Sequence, residues 1–139
     1  MSSYRVDGLP DRRILVVNVA GRLIGLEANT GQIVWRNDLD SSETSIEFAI
    51  HGSLVLAISN LKTLYCIDYL SGRTHWSATT STSSGPATML CDGPFVFVAR
   101  QGDVDCFNLQ GQLLWTQKFS KLGKGRAGLG MPNNVRYSQ

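Results

Sequence analysis

The chain has 139 residues, 42% of them hydrophobic and 17% charged, with a formal net charge of +2. That length suits one domain and that apolar content suffices for a core, while no run approaches the roughly eighteen apolar residues that a spanning helix needs. The start, Met1 to Asp7, lacks the apolar stretch of a secretory signal, so a cytoplasmic chain without membrane contact is expected; a processed mature chain would read the same way.

Residues 1–11 precede the first apolar run and read as an N-terminal segment. Ile14-Leu15-Val16-Val17-Asn18-Val19 is short, rich in β-branched residues and closed by Ala20-Gly21, which predicts a strand. A second strand over residues 23–28, a turn at Asn29-Thr30-Gly31 and a third strand over residues 32–37 complete a meander. The next unit has four strands, over residues 45–50, 54–59, 63–68 and 73–76, with turns at His51-Gly52, Asn60-Leu61-Lys62 and Ser71-Gly72. A third unit repeats the four, over residues 87–90, 95–99, 103–107 and 112–116. Gly93-Pro94, Gln101-Gly102 and Gln110-Gly111 mark its turns. Several of these strands are apolar at consecutive positions, so both of their faces must be covered.

The units share a signature. A glycine stands four residues ahead of each tryptophan, Gly31 before Trp35, Gly72 before Trp76 and Gly111 before Trp115, and the three tryptophans recur 41 and 39 residues apart. A period near forty, with one glycine turn and one tryptophan per unit, points to an array of small antiparallel sheets. Ahead of the turns stand small residues, Gly25, Cys66 and Cys106, and then Glu27, Asp68 and Asn108, whose polar side chains can hydrogen-bond the backbone of the coming turn.

Over residues 12–118 this pattern resembles the tryptophan-docking repeat of the pyrroloquinoline-quinone-like β-propellers. The family usually has alanine where this chain has Gly25, Cys66 and Cys106, and aspartate where it has Glu27 and Asn108. The resemblance implies an all-β fold of three four-stranded blades, in which each tryptophan packs across a blade interface onto the next blade. Gly31, Trp35, Gly72, Trp76, Gly111 and Trp115 would then be structural docking residues. Propellers close with about four to eight blades, so three form a half-propeller with two bare faces. Two copies would make a six-bladed ring, and a homodimer is the expected remedy.

The first unit shows only three clear strands. A fourth is expected either from residues 3–7 or from the tail over residues 129–137, and Asn134-Val135-Arg136-Tyr137 has the better strand composition. The tail, residues 119–139, is therefore expected to act as a clasp strand between chains.

Catalytic chemistry is not expected. Quinone-dependent dehydrogenases of the superfamily often carry two adjacent cysteines, and none are adjacent here; three blades cannot enclose a cofactor in one chain, so neither cofactor nor metal is expected. Cys66, Cys91 and Cys106 form an odd set without C-x-x-C spacing, which argues for reduced thiols. Residues 123–128 satisfy G-x-G-x-x-G, but Leu129-Gly130-Met131-Pro132 cannot begin a useful helix, so a loop is expected and not a dinucleotide site. His51 and His75 read as turn or surface residues without a fixed partner, and Asp103 and Asp105 as a solvated strand edge. From Thr116 onward the chain carries bases and no acid, so Lys121, Lys124 and Arg126 are candidates for partner binding beside the plainer reading of a solvated end. The expected function is a non-catalytic binding or scaffold module assembled by self-association, with protein or glycan as further partner and nucleic acid not expected. Alternatives are a sugar-binding propeller and a fragment of a longer quinone-dependent dehydrogenase.

Overall fold

Glycine turns cut the apolar runs into strands of four to six residues, each of which folds back on its neighbour. The computed structural model describes residues 13–39, 45–81, 85–123 and 127–137, all of it strands and turns apart from one 3-10 turn at Ser120–Leu122. The first sheet contains β1 (Ile14–Val19), β2 (Arg22–Glu27) and β3 (Ile33–Asn37), in that order. The second contains β4 (Ile46–His51), β5 (Leu54–Ser59), β6 (Thr63–Asp68) and β7 (Thr74–Thr79). The third contains β8 (Thr88–Asp92), β9 (Phe95–Arg100), β10 (Asp103–Asn108) and β11 (Leu113–Lys118). All pair antiparallel with sequence neighbours. Two sheets thus have the expected four strands, whereas the first has three among the described residues; residues 3–7, one proposed source of a fourth, lie outside them.

The repeat is also a repeat of register. Gly25 pairs with Trp35, Cys66 with Trp76 and Cys106 with Trp115, and in all three sheets the pairing slips by one residue immediately afterwards. That bulge bends each outer strand at the same place. The residue opposite the tryptophan must be small because the ring lies over it: a methyl group added at Gly25 would stand 2.5 Å from Trp35 Cε2.

Side chains facing between sheets form two apolar clusters. Val16, Leu23 and Trp35 of the first sheet meet Val55, Ala57, Tyr65 and Ile67 of the second. Leu56, Ile58, Leu64 and Cys66, on the opposite face of that second sheet, meet Val96, Val98 and Phe107 of the third. The middle sheet is therefore buried on both faces, which is why β5 and β6 are apolar at consecutive positions.

The tail forms a hairpin. It holds two strands, β12 (Gly128–Met131) and β13 (Asn134–Tyr137), which pair with each other and pack on β8 of the same chain. Thr88 Oγ1 donates to the Ala127 carbonyl at 2.9 Å, and Asn134 Nδ2 donates to the Cys91 carbonyl at 2.9 Å and to Asp92 Oδ2 at 3.0 Å. The sequence singled out Asn134–Tyr137 as a strand, and that strand pairs with β12. A two-residue Pro132-Asn133 turn, with Asn133 at φ 61°, folds β13 back onto β12.

Candidate functional site

The three glycine turns share one plan, the third being a residue shorter, with Asn108 N–H donating to Gln112 and Gly111 N–H to Asn108. In the second sheet the Asp68 N–H donates to the Arg73 carbonyl and the Gly72 N–H to the Asp68 carbonyl; in the first, Glu27 N–H donates to Gln32 and Gly31 N–H to Glu27. Asp68 Oδ2 accepts from the Ser71 N–H at 2.8 Å, and Asn108 Oδ1 from the Gln110 N–H at 2.9 Å and the Gln112 N–H at 3.0 Å. Glu27 Oε1 accepts from the Asn29 N–H at 3.2 Å. The three polar residues singled out in sequence therefore brace the turns, and glycine follows because φ there is positive, 76° at Gly31, 73° at Gly72 and 85° at Gly111.

Two of the turns carry a ring. The Trp35 indole lies against Gly72, where an added methyl group would collide with Cδ2, and its Nε1 donates to the Tyr69 carbonyl at 2.9 Å. Trp76 lies in the same way against Gly111, with Nε1 donating to the Leu109 carbonyl at 3.0 Å. Both links of this chain are therefore of one kind.

The ends differ. Among the described residues, Gly31 has nothing within 4 Å of the position that a Cβ would take. Trp115 is 46% exposed and has Phe97 beside it, ring centroids 6.2 Å apart. Val104, Trp115, Thr116, Gln117 and Phe119 line an open, mainly apolar hollow of about 420 Å³. At the other end of the stack, Leu15 pairs with Leu26 and Val17 with Ile24, on the face turned away from the second sheet, and Leu15 is 57% exposed. The six expected docking residues thus divide into four that meet within the chain and two, Gly31 and Trp115, that do not.

The chain belongs to the BamB-like family of PQQ-repeat β-propellers. The family model, described as outer membrane protein assembly factor BamB, matches residues 2–130. Among solved structures, BamB from Moraxella catarrhalis superposes with a TM-score of 0.63 at 17% identity, over 91% of this chain and 40% of that one. The computationally designed proteins Ika8 and Ika4 superpose with TM-scores of 0.69 and 0.70, at 17% and 16% identity. Each alignment covers 91% of this chain, with 40% of Ika8 and 79% of Ika4. At such identities the likeness is one of fold. No curated protein sequence matches. The chain therefore spans less than half the length of the BamB structure that it resembles.

The polar residues weighed for chemistry have structural partners. His51 Nε2 lies 2.8 Å from the Gly93 carbonyl, joining the turns of the second and third sheets, and His75 Nε2 lies 3.5 Å from Asp68 Oδ1. Asp105 corrects the expectation of a solvated edge: it is buried, accepting from the Ser81 N–H and from Thr116 Oγ1, both at 2.7 Å. Alternation along β10 hid this, because the strand's Asp103-Val104-Asp105 reads as polar-apolar-polar while its face packs on the second sheet. Arg100, which the sequence did not distinguish, is likewise buried and donates to the Ser59 carbonyl at 2.6 Å and to Thr80 Oγ1 at 3.3 Å. Burial pushes the Cys66 thiol up to about 11, helped by Asp68, and the Cys91 thiol up to about 12. It raises Cys106 as well. Among the described residues no group of three or more His, Cys, Asp or Glu could hold a metal ion, and no helix is long and apolar enough to cross a membrane. Lys121 is exposed in the 3-10 turn; Lys124 and Arg126 lie outside the described residues.

Proposed function

We propose that this chain is a non-catalytic β-propeller module, a binding platform or scaffold, and that it completes its stack of blades by self-association. The observation that carries the reading is the pair of apolar end faces: Leu15 and Val34 stand 57% and 49% exposed at one end, and Trp115 46% exposed at the other. Exposed apolar faces at the ends of a layered fold mark interaction surfaces. The non-catalytic part rests on thiols held protonated and on acids and histidines engaged in turns and between sheets. Three free cysteines suit a reducing compartment, so a cytoplasmic location goes with the proposal. Light scattering at micromolar concentration tests it. A mass near twice the 15.2 kDa of one chain supports a six-bladed closed pair, and a well-folded monomer rejects self-association. A trimer or tetramer keeps association and rejects the six-blade count.

Two other readings each have an observation behind them. Coverage of 40% of the BamB structure suits one section of a longer propeller, in which further repeats of the same chain meet the bare faces; the full reading frame decides that. The exposed Trp115 ring beside an open hollow suits a sugar, which stacks on aromatic faces, and a glycan array tests that directly.

A further inference from the structure

Self-association could bring the third sheets of two copies together, or the first sheets, or the third sheet of one against the first sheet of the other. We infer that the last arrangement is the one built into the chain: Trp115 of one copy docks on the Gly31 turn of a second copy. The inference rests on the self-association reading and specifies its geometry.

The chain itself contains the proposed joint twice. Each internal joint needs a tryptophan on the outer strand of one sheet, a glycine with positive φ in the turn of the next sheet, and a nearby turn carbonyl to accept the indole N–H. The Gly31 turn reproduces the main-chain bonds that frame the Gly72 turn: Gly31 N–H to Glu27 matches Gly72 N–H to Asp68, both at 2.8 Å, and Ala28 N–H to Arg13 matches Tyr69 N–H to Ser53. By that correspondence the Ala28 carbonyl stands where the Tyr69 carbonyl receives Trp35. The socket is therefore formed, and among the described residues nothing reaches the Cβ position at Gly31.

The surfaces around knob and socket correspond as well. The cross-strand pairs Leu15 with Leu26 and Val17 with Ile24 occupy, in the first sheet, the register places of Val55 with Ile67 and Ala57 with Tyr65 in the second. Those second-sheet residues are buried against the Trp35 side of the first sheet. On the third sheet, Phe97, Val104 and Trp115 occupy the places of Leu56, Leu64 and Trp76, which are covered by that same third sheet. The bare third-sheet face is thus the homologue of two faces that bind this kind of socket, and the bare first-sheet face is the homologue of two that bind this kind of knob. A pairing of like ends would set tryptophan against tryptophan and leave both sockets empty. The β12–β13 hairpin does not obstruct the joint, because the hollow beside Trp115 is lined from β10, β11 and Phe119.

Sedimentation velocity on the full chain and two variants tests this. Trp115→Ala removes the knob. Gly31→Asn keeps the turn accessible, since asparagine tolerates positive φ, but puts a side chain where the ring must lie. Each alone is expected to weaken association about tenfold or more, as removal of a central aromatic anchor does. Gly52→Asn, at a turn with φ 63° away from both faces, should leave the mass unchanged and controls for the backbone. The decisive measurement is an equimolar mixture of the two variants. Both substitutions break the same contact, so a mixed pair has one doubly broken joint and one native joint, and it should associate more tightly than either variant alone. If Trp115→Ala abolishes association while folded Gly31→Asn leaves it unchanged and the mixture gains nothing, head-to-tail docking is wrong and self-association stands. A monomeric wild-type chain overturns the underlying reading instead.

Discussion

Trp35 and Gly72, in different sheets, are in direct contact: the indole covers the glycine, and its N–H reaches past it to the Tyr69 carbonyl at 2.9 Å. A large apolar ring and a buried hydrogen bond are thereby joined at one point, and the ring is only 7% exposed. Trp35→Ala should therefore destabilise the fold by about 3–5 kcal/mol, the range of large aromatic truncations in cores. Trp76→Ala should cost less, because Trp76 is less deeply covered than Trp35. Gly72→Ala should approach the Trp35 effect by collision, while Gly52→Ala pays only the left-handed backbone penalty of about 1–2 kcal/mol. Urea unfolding at fixed protein concentration measures all four. Equal costs for the two glycine changes would refute the packing argument.

The turn beneath that ring makes stability depend on pH. Burial pushes the Asp68 carboxyl up, but the hydrogen bonds from the Ser71 backbone and hydroxyl and the presence of His75 outweigh this and hold it below its ordinary range. A carboxylate lowered in the folded state contributes stability that is fully present above its unfolded pKa and is lost as pH falls through the folded one. Asp68→Asn keeps an acceptor for the Ser71 N–H and removes the charge. It should be less stable than the parent at pH 7 by under about 1 kcal/mol, since the carboxylate is partly exposed and screened. The difference should vanish as pH drops well below 4. A difference that persists at pH 2.5 would mean that hydrogen-bond shape, and not charge, carries the effect.

Strand order, turn positions and the capping roles of Glu27, Asp68 and Asn108 could all be read from sequence, because glycine turns and polar caps act locally. The small residues at Gly25, Cys66 and Cys106 were legible as a pattern, but their reason, a ring directly across the strand pair, belongs to register and emerges only with pairing. What stayed hidden depends on packing between sheets. Asp105 and Arg100 look like surface residues in a strand, yet both end in the interface with the second sheet, where they bond to Ser81, Thr116, Ser59 and Thr80. Likewise nothing in the three equal G-x-x-x-W matches separates Trp35, which is covered, from Trp115, which is not; only their order in the stack does.

The thiols offer a probe of the same packing. Cys66 and Cys106 lie fully buried opposite their tryptophans across the strand pair, and burial raises all three thiols. Because the thiolate is the reactive form, Ellman's reagent at pH 8 should find almost no reaction in the folded chain and three thiols per chain after unfolding. Trp76→Phe should leave Cys66 protected, and Trp76→Ala should open it selectively. Fast native labelling of Cys66 would contradict the close ring-to-thiol packing.

Removal of the hairpin separates two roles for the tail. Within one chain, β12 and β13 cover β8, whose Thr88, Met89 and Leu90 are buried, and Asn134 ties the Cys91 carbonyl and the Asp92 carboxylate to the same strand. If this local role is the whole of it, deletion of residues 127–139 lowers the melting temperature and exposes Cys91 to labelling ahead of Cys66 and Cys106, while association through Trp115 and Gly31 survives. Asn134→Ala should do the same in milder form, since it removes the two hydrogen bonds and keeps the strands. If the tail instead acts as a clasp between chains, deletion reduces the mass to that of one chain and exposes Trp35 to iodide quenching more than Trp76. The two outcomes are distinguishable in one experiment, because labelling of Cys91 reports on β8 within the chain and sedimentation reports on the second copy. The hydrogen bonds to Cys91 and Asp92 favour the first, with Cys91 as the first thiol to react.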